Sequence, residues 1–200
     1  MDMKTRPPLT DVKTLRENAR KHVDDGAVTV GYAADRDAVL RVLNDALATE
    51  IVCVLRYRRH YFMARGIHSQ SVAAEFLQHS NEELGHADEI AERIVQLGGE
   101  PDFSPDSLAG RSHAEYVPGT SLTDMIRENL VAERIAIDSY RDAIRFLEGR
   151  DPTTRRMFEG ILAVEEEHAD ELADLLQGLP ADADDSRRPV GSARDGGAKK

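Results

Sequence analysis

Two short, nearly identical segments constrain this chain more than anything else in it: Glu83-Leu84-Gly85-His86-Ala87-Asp88-Glu89-Ile90-Ala91 and Glu165-Glu166-Glu167-His168-Ala169-Asp170-Glu171-Leu172-Ala173. Each contains Glu-x-x-His inside a long stretch of helical apolar spacing. With about 3.6 residues per turn, positions i and i+3 share a face, so the carboxylate and the imidazole point the same way. Around Glu83 the apolar face runs through Val72, Phe76, Ile90, Ile94 and Leu97; around Glu165 it runs through Phe158, Ile161, Leu172 and Leu176. Both glutamates therefore occupy core positions. An isolated buried carboxylate is costly and escapes that cost by pairing, protonation or a metal. A histidine on the same face directs attention to the metal.

The rest of the chain reads as helices around these two segments. Residues 1–8 end in Pro7-Pro8 and are expected to be disordered, and Thr10 is expected to cap a short helix running to about His22. Val12 and Leu15 are too few to give that helix a core stripe, so it should lie outside something larger, and Gly26 to Ala34 reads as a linker. Asp35 caps a long helix to about Ala64, stopped by Gly66, with Val39, Leu43, Leu47, Val54 and Tyr57 on its apolar face and Glu50 among them. A second long helix covers about Ser71 to Leu97 and ends at Gly98-Gly99. The 24 residues 98–121, rich in proline and glycine, read as a structureless crossover along a bundle. Extended, they reach up to ~80 Å, more than the ~40 Å of a 27-residue helix. Ser121-x-x-Asp124 opens a third long helix to about Glu148, in which Ile126, Ile137, Tyr140 and Ile144 flank Glu133. Asp151-Pro152 is an N-cap followed by proline at the first helical position, and the fourth helix ends near Gly178. The fold expected is all-α: residues 1–34 an extension with a short helix, 35–177 a four-helix bundle, 178–200 a disordered polar tail.

The two halves of the bundle repeat one another. Glu50 precedes Glu83 by 33 residues and Glu133 precedes Glu165 by 32, while Tyr57 and Tyr140 each follow the first glutamate of their half by seven. Two antiparallel helix pairs about a pseudo-twofold axis would bring Glu50, Glu83, His86, Glu133, Glu165 and His168 together. Four carboxylates and two imidazoles suit two divalent cations of the iron or manganese kind; one zinc would leave ligands over, and calcium would not choose imidazole.

In these residues the sequence resembles the ferritin-like superfamily, bacterioferritins in particular, over about residues 35–177. The resemblance implies a four-helix bundle with its long crossover between helices two and three, assembled into a hollow shell of 12 or 24 chains. It implies two iron ions per subunit, with Glu50 and Glu133 as terminal ligands, Glu83 and Glu165 bridging, and His86 and His168 each on one iron. The activity implied is that of a ferroxidase, oxidising Fe(II) with O2 or H2O2 and storing the ferric product. Tyr57 matches a tyrosine beside the bacterioferritin centre and is assigned a supporting role in electron donation, Tyr140 a lesser one, and Asn129 a ligand-orienting one. His79 is a candidate accessory iron ligand; His60, His68 and His113 are expected in loops or at the surface. Leu84 stands where haem-binding bacterioferritins carry a methionine, and Met63, Met125 and Met157 do not replace it by position, so no haem is expected. A short N-terminal helix without a fifth C-terminal one is closer to twelve-subunit Dps cages.

Composition narrows the alternatives. A net charge of −11, from 37 acidic and 26 basic residues, disfavours broad nucleic-acid binding. DNA contact, as in Dps proteins, would fall to Lys4, Arg6, Arg187, Arg188, Arg194, Lys199 and Lys200 at the chain ends. The single cysteine, Cys53, sits in an apolar run as a buried thiol and excludes the paired cysteines of a rubredoxin module. A dimanganese catalase and a di-iron oxidase acting on an organic substrate remain as rivals. No apolar run is long enough to span a bilayer and no signal-peptide core is present, so a cytoplasmic protein is expected.

Overall fold

A computed structural model of the chain describes residues 9–66 and 69–178. Residues 1–8 and 179–200, with the seven basic residues assigned to DNA contact, and His68 lie outside the described residues. Within them the chain is helical, with no β-strand: α1 (Val12–Asn18), α2 (Arg36–Met63), α3 (Ser69–Gln96), α4 (Pro105–Arg111), α5 (Leu122–Leu147) and α6 (Pro152–Gly178), with one 3-10 turn at Val23–Asp25.

Local chemistry sets the ends. Asp35 caps α2 by accepting from Ala38 N at 3.1 Å. Ser121 caps α5 by accepting from Asp124 N at 3.1 Å, while Asp124 reaches back one residue further than a capping box requires, to Thr120 N at 2.8 Å. At the end of α3, Gly98 takes a left-handed φ of 72° and Gly99 N donates to Ile94 O at 2.9 Å, a Schellman closure. The N-terminal helix is shorter than its expected span to His22. Its cap is Asp11 rather than Thr10, accepting from Thr14 N at 3.0 Å, and it buries none of its residues.

The long helices form two antiparallel hairpins, α2 with α3 and α5 with α6, joined face to face through α2–α5 and α3–α6. Val39, Leu43, Leu47, Ile90, Ile94, Tyr140, Phe158 and Ile161 fill one end of the core. Tyr57, Val72, Phe76, Ile126 and Leu172 fill the other. Val54 is only half-buried; Val52 and Cys53 take its place in the core because the face of α2 drifts by part of a turn. The crossover is not structureless. It carries α4, with proline in its first turn, and is strapped along α2 by Asn44 to Asp102 N (2.8 Å), Thr49 to His113 N (3.0 Å) and Arg56 to Glu115 O (3.1 Å).

Candidate metal centre

Each of the six core positions singled out by the repeat lies at mid-bundle. Glu50, Glu83, Glu133, Glu165 and His168 are at most 1% exposed and His86 is 9% exposed. Two groups of four form there, with ligand atoms within 4.8 Å of one another: Glu50, Glu83, His86 and Glu165, and Glu83, Glu133, Glu165 and His168. Glu83 and Glu165 belong to both. His86 Nδ1 lies 3.4 Å from Glu50 Oε2, 3.4 Å from Glu83 Oε2 and 3.1 Å from Glu165 Oε1. His168 Nδ1 lies 3.8 Å from Glu83 Oε1 and 3.7 Å from Glu165 Oε2.

The tyrosines cross between the hairpins. Tyr57 on α2 donates to Glu133 Oε1 on α5, and Tyr140 on α5 donates to Glu50 Oε1 on α2. A seven-residue step is two turns, too far for either ring to reach the glutamate of its own helix, so each serves the antiparallel neighbour. One oxygen of each glutamate is thereby fixed and the other, Oε2, is left without a hydrogen bond. The same holds for Glu83 Oε1, both Glu165 oxygens and the Nδ1 atoms of His86 and His168. Buried polar atoms are otherwise almost always bonded. So many orphans converging on one point fit a pair of cations.

Electrostatics agree. Burial, with the charge of Glu165 next, pushes the Glu83 and Glu133 carboxyls well up. Burial opposes charge on Glu165 as well, but the imidazoles of His168 and His86 beside it hold its carboxyl well below the usual range. Burial likewise works against charge on the imidazoles, yet Glu165 and its neighbours raise both His86 and His168. The cluster thus holds protons that a cation would displace. His168 Nε2 donates to Glu82 Oε2 at 2.8 Å, which fixes the ring and aims Nδ1 inward.

Several partners were not foreseen. Arg56 is buried beside the acids, donating from Nε to Asn129 Oδ1 at 2.9 Å. Asn129 contacts Arg56 and His60 rather than a ligand. His60, expected at the surface, is fully buried, its ring nitrogens 3.1 Å from Asn129 Oδ1 and 3.0 Å from the Pro118 carbonyl; burial and Arg56 lower it to about 4. The clue was its position four residues after Arg56, itself three after Cys53, all on one helical face. His113 is exposed in the crossover, as expected, and Leu84 is 41% exposed, facing away from the centre. His79 is buried and stacks on His168, ring centroids 4.0 Å apart. Cys53 is buried, and burial pushes its thiol well up, so it is inert.

A four-helix bundle with a long crossover and an interior lined by paired carboxylates and imidazoles defines the class of protein. The chain belongs to the ferritin-like family: residues 40–181 match that family, described as a Ferritin-like domain. It is similar to a bacterioferritin of Mycobacterium avium, 31% identical over 140 residues, covering 70% of this chain and 84% of that protein. It is also similar to a protein of Nostoc sp. named nutrient stress-induced DNA-binding protein, 31% identical over 174 residues, covering 84% of this chain and 92% of that one. Among solved structures, the bacterioferritin-related protein of Bacteroides fragilis, described as a dodecameric thioferritin, superposes with a TM-score of 0.70 at 32% identity, covering 72% of this chain and 88% of that one. No helix among the described residues is long and apolar enough to cross a membrane.

Proposed function

We propose that this chain is a cytoplasmic iron-storage and detoxification subunit whose bundle, residues 35–177, is a ferroxidase. The observation that carries this reading is the pair of four-ligand groups sharing Glu83 and Glu165, lined with buried atoms that lack hydrogen bonds. Fe(II) is the substrate, and two ions bound together can surrender two electrons to one O2 or H2O2. Glu50 and Glu133 bind terminally through Oε2 while Tyr140 and Tyr57 keep their other oxygens in place. Glu83 and Glu165 lie between the two positions, and His86 and His168 offer Nδ1 to one position each. Tyr57, buried and bonded to Glu133, is placed to supply an electron, its hydroxyl proton held by that carboxylate. Aerobic addition of Fe(II) should give a fast rise in ferric absorbance that Glu83→Ala with Glu165→Ala abolishes. Equal rates in both proteins would refute the assignment.

The name of the Nostoc relative favours a second reading, a Dps-like DNA-protecting protein. Its contacts would come from Lys4, Arg6 and the basic residues beyond 186, and a salt-sensitive gel shift is its test.

A further inference from the structure

We infer that Glu75, His79 and Glu171 form a third, mononuclear site for a divalent cation, outside the dinuclear pair and sharing no ligand with it. His79 Nε2 lies 2.9 Å from Glu171 Oε2 on α6 and 3.5 Å from Glu75 Oε1, one turn earlier on α3. The three ligand atoms fall within 4.8 Å of one another. The other ring nitrogen of His79, Nδ1, lies 3.2 Å from the Tyr57 hydroxyl oxygen, which holds the ring in place. Nε2 is the ring nitrogen that faces the two carboxylates. One imidazole nitrogen and two carboxylate oxygens from α3 and α6 thus converge on one point, a donor set a divalent cation can hold together.

Access and chemistry fit as well. The imidazole is fully buried, while the carboxylates of Glu75 and Glu171 are 29% and 38% exposed. Both line an open cleft of about 390 Å³ that also carries Asp174, from which a hydrated cation can enter and water can complete its shell. One imidazole with two carboxylates suits zinc, iron or manganese and disfavours calcium or magnesium.

The site is also not a by-product of the repeat. Counted from Glu165 as from Glu83, the counterpart of His79 is Ile161 and that of Glu75 is Met157. Only one side of the pseudo-twofold axis has it.

Zn(II) is the probe. In crystals of the full chain equilibrated with Zn(II), anomalous maps should show a peak about 2.0–2.2 Å from His79 Nε2, with an oxygen of Glu75 and of Glu171 at similar range. Glu75→Ala with Glu171→Ala should erase that peak, keep those between Glu83 and Glu165, and bind one Zn(II) fewer per chain in solution at equal free Zn(II). Glu50→Ala with Glu133→Ala should do the reverse, which separates this site from the dinuclear reading. No peak at His79 when the dinuclear positions are filled, a peak that survives loss of both glutamates, or an unchanged solution count (an adventitious cation only) would overturn it.

Discussion

At the scale of single residues, the crossed tyrosines leave Glu50 and Glu133, the two terminal ligands in the proposed reading, with one oxygen each for a cation. A buried carboxylate with both oxygens free rotates and protonates; one oxygen tied to a phenol leaves a defined lone pair on the other. Tyr57→Phe should therefore weaken cation binding about 10- to 100-fold without unfolding the bundle, read by titration with Zn(II) or anaerobic Fe(II). The six candidate ligand positions were legible because each is a polar residue at a spacing reserved for the core. Arg56, His60, Glu82 and Glu171 were not. Their roles depend on which side chain of a facing helix they meet, and Glu82 and Glu171 sit where a helical pattern expects solvent. His79 could be placed one turn from Glu83 but not assigned its partners, since these come from α2 and α6 at once.

Among the elements, the junction that closes α5 onto α6 binds the two hairpins together. Asp151 caps α6 at Thr154 N (3.0 Å), accepts from Arg93 Nη2 of α3 with both oxygens (3.1 Å to each) and receives the Tyr32 hydroxyl of the linker at 2.9 Å. Burial alone would raise its carboxyl, but the hydrogen bonds from Thr154 hold it below the ordinary aspartate range. A depressed acid stabilises the fold while it is ionised. Asp151→Ala should cost about 3 kcal/mol at neutral pH by stranding a buried guanidinium. The gap to wild type should stay full above the unfolded value of 3.8 and shrink as pH falls below it, measured by denaturant titration at several pH values. In the sequence Asp151-Pro152 announced a helix start; its links to Arg93 and Tyr32 span 58 and 119 residues and leave no local trace. The crossover misled for a different reason: α4 has seven residues, too few for periodicity to show above its prolines and glycines. At its entrance Gly99 packs so tightly that a Cβ there would come 2.5 Å from Leu40 Cδ2, a closeness no pattern of glycines reveals.

For the whole molecule, the repeat at 33- and 32-residue spacing proved the most informative feature, because it fixed the pairing of helices as well as their existence. What it could not convey is how far the two halves have diverged, with the acidic cleft and His79 on one side only. The exposed α1, with Val12 at 60% and Leu15 at 53%, has no core of its own to join. A shell would supply a neighbour, and the native mass should be about twelve or twenty-four times the 22.2 kDa chain, measured by light scattering or native mass spectrometry. A monomeric or dimeric mass would count against storage.

Because Glu83 and Glu165 come from different hairpins and both four-ligand groups need both of them, neither hairpin owns a complete half of the centre. On the proposed ferroxidase reading, loading with cations is therefore a checkpoint on assembly. A chain whose halves have closed out of register has nowhere to put them, so tight uptake certifies a correctly built interior before any oxidant arrives.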